Sequence, residues 1–125
     1  MIIITGASSG IGKYLFHKYL EEGKEVYGTF NKNSPDVKHN KYMSKVDITD
    51  YQQVLEWVNN IESKIGKTIL VNCVGVNYNS FAHKANLENW AHVVNVNLIG
   101  TFHVIHAFLP FMRKEGYGRI INFSS

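Results

Sequence analysis

Thr5-Gly6-Ala7-Ser8-Ser9-Gly10-Ile11-Gly12 decides how this sequence folds. The apolar run before it, Ile2-Ile3-Ile4, is short, β-branched and unpunctuated, as a strand buried on both faces should be. After it, Lys13 to Glu22 continues a helical repeat of Ile11, Leu15 and Tyr19, and Gly23 supplies a stop. Strand, glycine loop and helix in that order are the context a phosphate-binding turn requires. Gly6 takes a conformation that a Cβ would obstruct, Gly10 lets backbone approach a phosphate, and Gly12 lets the helix pack closely. The helix's unpaired N–H groups and positive dipole end then face the anion, with Ser8 and Ser9 beside it. The spacing G-x-x-x-G-x-G departs from G-x-G-x-x-G. Three glycines alone fit a mere tight turn; between that strand and that helix they favour nucleotide binding.

Working outward, Glu25 to Thr29 reads as a second strand, and Phe30 to Asn40 as a polar loop holding Ser34-Pro35-Asp36. Tyr42 to Val46 reads as a third strand ending at Asp47. Thr49 then opens a helix with Gln52 at the capping-box position. Tyr51, Val54, Leu55, Val58, Ile61 and Ile65 give that helix one apolar face, closed by Gly66. A fourth strand spans Thr68 to Asn72, and a loop rich in Asn, Tyr and Ser runs through Asn86. Leu87 to Lys114 is helical in pattern, as one piece or two. Arg119 to Phe123 is a fifth strand. Strands alternating with helices imply right-handed crossovers, hence a parallel sheet with helices on both faces in one domain over residues 1–125.

The chain has 125 residues, 45% of them hydrophobic and 18% charged, an ordinary globular composition. The net charge of +3 comes from scattered lysines, which gives no nucleic-acid footprint and suits an anionic cofactor. Cys73 is the single cysteine, so no internal disulfide can form, and a reducing cytoplasm is expected. Met1 leads directly into a strand with no export signal. No membrane span is expected, because Asn95, Asn97, His103 and His106 interrupt the longest apolar stretch. His103 and His106 share a helix face, but without a third ligand in view they read as packing residues, and no metal is expected.

Thr-Gly-Ala-Ser-Ser-Gly-Ile-Gly at the start of the chain resembles the cofactor loop of the short-chain dehydrogenase/reductase family. Three later stretches resemble that family in the same order: Leu70-Val71-Asn72-Cys73-Val74-Gly75, Trp90 to Phe102, and Gly118 to Ser125. The resemblance implies a Rossmann-type doubly wound parallel sheet, five strands in the order 3-2-1-4-5, truncated relative to the family. It also implies hydride transfer between a nicotinamide cofactor and a carbonyl or alcohol. The end of the second strand sets the cofactor in such folds, where a carboxylate would take the NAD ribose. Here Phe30-Asn31-Lys32 has none, so NADP is favoured over NAD, with Lys32 as a simple solvated lysine the alternative.

By the same resemblance Asp47 and Ile48 border the adenine pocket, although Asp47 also reads as an ordinary cap. Asn72 and Gly75 match the family's central strand, while Cys73 and Val74 depart from it. Asn97, with Asn95 as runner-up, matches the asparagine that holds a proton-relay water, and Ser125 matches the serine that orients the substrate oxygen. The family's Tyr-x-x-x-Lys pair would follow on a further helix. Tyr14 and Lys18 have that spacing, but lie behind the phosphate loop and receive no role. The 125-residue chain is therefore expected to be inactive alone. A non-catalytic NADP-binding module and an interaction protein that self-associates through residues 87–114 are the other readings.

Overall fold

The computed structural model describes residues 1–124, and every side chain among them except those of Val37 and Asn40. Five parallel strands form one sheet in the order β3-β2-β1-β4-β5. They are β1 (Ile2–Thr5), β2 (Val26–Phe30), β3 (Met43–Lys45), β4 (Thr68–Asn72) and β5 (Gly118–Asn122). Parallel pairing is as the strand–helix alternation predicts, and the strand order is the one the resemblance implies. The ends of β2, β3 and β5 lie one residue from those expected, and the Glu25 carbonyl just before β2 still accepts the Ile2 N–H at 2.8 Å. Strand β1 is central, pairing Ile4 with Gly28 on one side and with Val71 on the other.

Helix α1 (Gly10–Glu21) covers one face, burying Phe16 among Ile4, Val26 and Val71. Helix α2 (Tyr51–Ile61) and the long helical run Leu87–Glu115 cover the other, around Ile3, Leu70, Val104 and Phe108. Gly23 ends α1 in the left-handed conformation, φ +71°, and the Lys24 N–H donates to the Tyr19 carbonyl. Trp57 is buried edge-on to Phe108, with ring centroids 5.4 Å apart. It joins the α2 core face that the repeat of Tyr51, Val54, Leu55 and Val58 had defined without it.

The α2 cap also differs from expectation. Asp50, rather than Thr49, accepts hydrogen bonds from the Gln52 and Gln53 N–H groups at 3.0 and 3.3 Å. Gln53, rather than Gln52, reciprocates, donating its amide to the second Asp50 oxygen at 3.0 Å. Those bonds, that of the Gln53 amide foremost, hold the Asp50 carboxyl below the usual carboxylate range. Thr49 is free to serve Asp47, whose Oδ1 accepts from its N–H and hydroxyl at 2.9 and 2.7 Å.

Leu87–Glu115 is 29 residues, long and apolar enough to cross a membrane by length and composition, so the interrupting Asn and His residues do not exclude it by that test. Here it lies across the sheet instead. It consists of α3 (Leu87–Val94), a π turn over Asn95–Gly100 and α4 (Thr101–Glu115) without a break. The π turn stands against Ile48. A Cβ on Gly100 would come within 2.8 Å of Ile48 Cγ1, so close approach of helix to loop fixes glycine there. A π turn widens a helix locally and releases backbone groups from their regular partners.

Candidate functional site

The carboxyl ends of β1, β2 and β4 open into a cleft of about 290 Å³. It lies where strand order reverses, between β1 and β4, the position at which open parallel sheets bind ligands. Gly6, Ser8 and Ser9 form one wall, Asn31 and Lys32 the second, and Asp47, Ile48 and Gly75 the third. Gly6 and Gly10 adopt φ of +68° and +52°. The loop is anchored to β2, since the Ala7 N–H donates to the Thr29 carbonyl at 2.8 Å.

The glycines divide their work as the sequence leads one to expect. A Cβ on Gly12 would collide with the Gly6 carbonyl oxygen and lie 3.2 Å from Cys73 Cβ. Gly12 thus packs the helix onto the loop and the end of β4. Val74, the residue that departs from the family motif, places Cγ2 3.1 Å from where a Gly6 Cβ would be. Gly10 faces open space. Ser9 caps α1 with no side-chain hydrogen bond, whereas Asp50 caps α2 and Asn86 caps α3 with theirs. The first turn of α1 therefore keeps its N–H groups available and carries no acidic side chain.

A second hollow, of about 730 Å³, continues from the first across Cys73-Val74-Gly75-Val76 toward Asn97 and Ser124. Asn97 grips this connection from the π turn: its Oδ1 accepts from the Val76 N–H at 2.8 Å and its Nδ2 donates to the Val76 carbonyl at 2.7 Å. Asn72 lies on the floor. Its Nδ2 donates to Asn122 Oδ1 at 2.8 Å, and its own Oδ1 accepts from the Thr5 hydroxyl at 3.4 Å. Thr5 Oγ1 in turn accepts the Cys73 N–H at 3.2 Å, so one polar chain ties three strands at their carboxyl ends. Ser125 lies outside the described residues. Exposed Leu98, Phe102 and Phe123 rim this hollow.

His103 and His106 have local partners: His103 Nδ1 lies 2.9 Å from the Ile48 carbonyl, and His106 Nδ1 lies 2.6 Å from the Tyr51 hydroxyl. A different cluster brings His17, Asp36 and His39 together, their ligating atoms within 4.8 Å of one another. No sequence signal marked it, because α1 and the β2–β3 loop supply residues at no metal-ligand spacing.

Half-burial pushes the Cys73 thiol up to about 11. At pH 8 that leaves roughly a hundredfold less thiolate than an ordinary cysteine has. Iodoacetamide should therefore label the native chain far more slowly than the urea-unfolded chain, and equal rates would refute this environment. The sign for stability is that the unfolded thiol ionises first. The contribution is full below about pH 9 and is lost as pH rises through the folded value of about 11.

The parallel order, the glycine loop at the strand reversal and the uncapped α1 together define a doubly wound α/β domain with the geometry of a dinucleotide fold. Within that class the chain belongs to the short-chain dehydrogenase family, whose model matches residues 1–125. The 3-oxoacyl-(acyl-carrier-protein) reductase of Thermotoga maritima is 37% identical over 133 residues, covering 98% of this chain and 54% of the relative. A short-chain dehydrogenase of Leptospira borgpetersenii solved with bound NAD+ superposes with a TM-score of 0.88 at 32% identity, over 99% of this chain and 50% of that one. ElxO with NADP bound gives 0.84 at 28% identity, over 99% and 54%. The chain spans about half the length of the curated relatives it matches.

Proposed function

We propose that residues 1–125 form the dinucleotide-binding domain of a short-chain reductase that prefers NADP to NAD. The observation that supports this best is the cleft wall at the end of β2, where Asn31 and Lys32 stand and where Asp47, the one acid lining the cleft among the described residues, is turned to Thr49. Gly6, Ser8, Ser9, Gly10, Ile11 and Gly12 would hold the pyrophosphate at the start of α1. Asn31 and Lys32 would take the 2′-phosphate and Asp47 and Ile48 the adenine, while Gly75 would line the nucleotide side of the cleft and Asn72 would brace the strand beneath it. The nicotinamide supplies or accepts a hydride at a carbonyl or alcohol carbon. Ser125 would orient the substrate oxygen. Asn97 would fix the cleft floor through Val76 and support a proton-relay water beside the widened turn. The family reaction also needs a Tyr/Lys pair for proton transfer, so the 125-residue chain should bind cofactor without turnover.

Calorimetric titration tests the preference: NADPH should bind roughly tenfold more tightly than NADH, the worth of one charge-assisted contact. Asn31→Asp should narrow or reverse that ratio, because a carboxylate repels the phosphate and accepts from a ribose hydroxyl. Position 31 suits the test better than Phe30, which packs against the α1-side core. Equal affinities in the parent chain would overturn the preference.

A second reading concerns partners. Leu98, Phe102, Ile121 and Phe123 are exposed together with Ile11 and Tyr14, and leaving each large apolar side chain in water forgoes about 1.5–3 kcal/mol. We propose that this chain self-associates as a homo-oligomer through residues 87–114 and the β5 edge. Light scattering should give a mass above 14.3 kDa at micromolar concentration, and a stable monomer would refute it.

A further inference from the structure

We propose that His17, Asp36 and His39 form a Zn2+-class cation site that fastens the β2–β3 loop to the back of α1. His17 lies two turns into α1, Asp36 opens the loop's 3-10 turn, and His39 lies within that turn (Val37–Tyr42). The turn brings them together: the His39 N–H donates to the Asp36 carbonyl at 2.9 Å, and the His17 and His39 rings meet edge to face at 4.6 Å. His39 Nδ1 is buried and has no hydrogen-bond partner among the described residues. A buried polar nitrogen left unpaired is costly, and ligation or a partner ion removes that cost. Two imidazoles and a carboxylate, with the hollow beside Ser8 and Lys13 open as a fourth position, make the donor set of an open tetrahedral zinc site. Mg2+ and Ca2+ are disfavoured, since they require mostly oxygen ligands. Zn–N bonds of about 2.0–2.1 Å set ligand atoms roughly 3.4 Å apart, so ligand atoms that lie within 4.8 Å of one another close by at most about 1.4 Å on binding. Lys13 lines the same hollow and opposes a cation, which favours ions bound through nitrogen over ions bound by charge alone.

The test is titration of the whole chain with Zn2+ by calorimetry, paired with Co2+ absorption. The parent should bind one equivalent, show the visible d–d band of four-coordinate Co2+, and melt at rising temperature as Zn2+ is added. Asp36→Asn and His39→Gln should each weaken binding at least tenfold, given that even outer-shell partners are commonly worth about 10–100-fold. Asp36 is exposed, so Asp36→Asn should keep the parent circular dichroism and separate lost ligation from lost folding. The double variant His103→Gln/His106→Gln should bind as the parent does. Absence of Zn2+ binding, unchanged affinity in Asp36→Asn and His39→Gln, or loss only in the His103/His106 variant would overturn the assignment.

Discussion

Gly12→Val should destroy the fold, whereas Gly10→Ala should spare the fold and impair cofactor binding. A side chain on Gly12 meets backbone on one side, the Gly6 carbonyl, and Cys73 on the other. Neither is the flexible end of a side chain, so the loop must leave β4 or the helix must leave the loop. The cost belongs at or above the upper end for overpacking, about 3 kcal/mol, a large share of a small domain's stability. Gly10 presents the opposite case. Its φ of +52° charges a Cβ about 1–2 kcal/mol, but nothing lies within 4 Å of where that Cβ would be. That space is where a phosphate would approach the α1 amides, so NADPH affinity should fall by far more than stability does. Gly66→Ala, with open surroundings and no left-handed φ, should melt like the parent. Urea denaturation of all three checks the order. A Gly12→Val chain as stable as the parent would mean that α1 does not pack as described.

Phe108→Ala should be the most damaging truncation on the sheet's other face. Phe108 is fully buried and meets Trp57 edge-on, at an interplanar angle of 75°. Removing the ring leaves a cavity between α2, α4 and the sheet, at a cost of about 3–5 kcal/mol. Phe81→Ala, in the loop after β4, should change stability by no more than about 0.5 kcal/mol, because Phe81 is 75% exposed. A drop in the denaturation midpoint for Phe108→Ala matched by one of similar size for Phe81→Ala would contradict the core assignment.

These two faces also show what could be read from sequence. The central strand and its loop were legible because Ile2-Ile3-Ile4 is stiff and β-branched, and because glycines mark positions where a Cβ would clash or strain the backbone. The 3-2-1-4-5 order followed by resemblance, and β5 was placed to within one residue. Trp57 was missed because an apolar stripe drawn from Tyr51 through Leu55 is centred slightly off the buried line of Val54, Trp57, Val58 and Ile61. The Asp50 cap was missed because Thr49 and Asp50 are both good caps. The choice between them depends on Asp47, which claims the Thr49 hydroxyl. The π turn left no mark, since inserting wider backbone geometry changes no residue type. His17 and His39 come together only through the path of the β2–β3 loop, which no local spacing encodes.

The central place of β1 has a consequence for the nascent chain. Residues 2–5 leave the ribosome before the other four strands, yet one edge of β1 waits for β4, and Thr5 meets its partner Asn72 across 67 residues. At about 5–20 residues per second, that edge stays open for roughly 3–13 s of synthesis. β2 arrives earlier and closes the other edge first. An Ile-rich strand exposed for that interval is a template for pairing with other chains. Slowing translation between residues 30 and 68 should therefore raise the insoluble fraction, and co-expressed holdase chaperones should lower it.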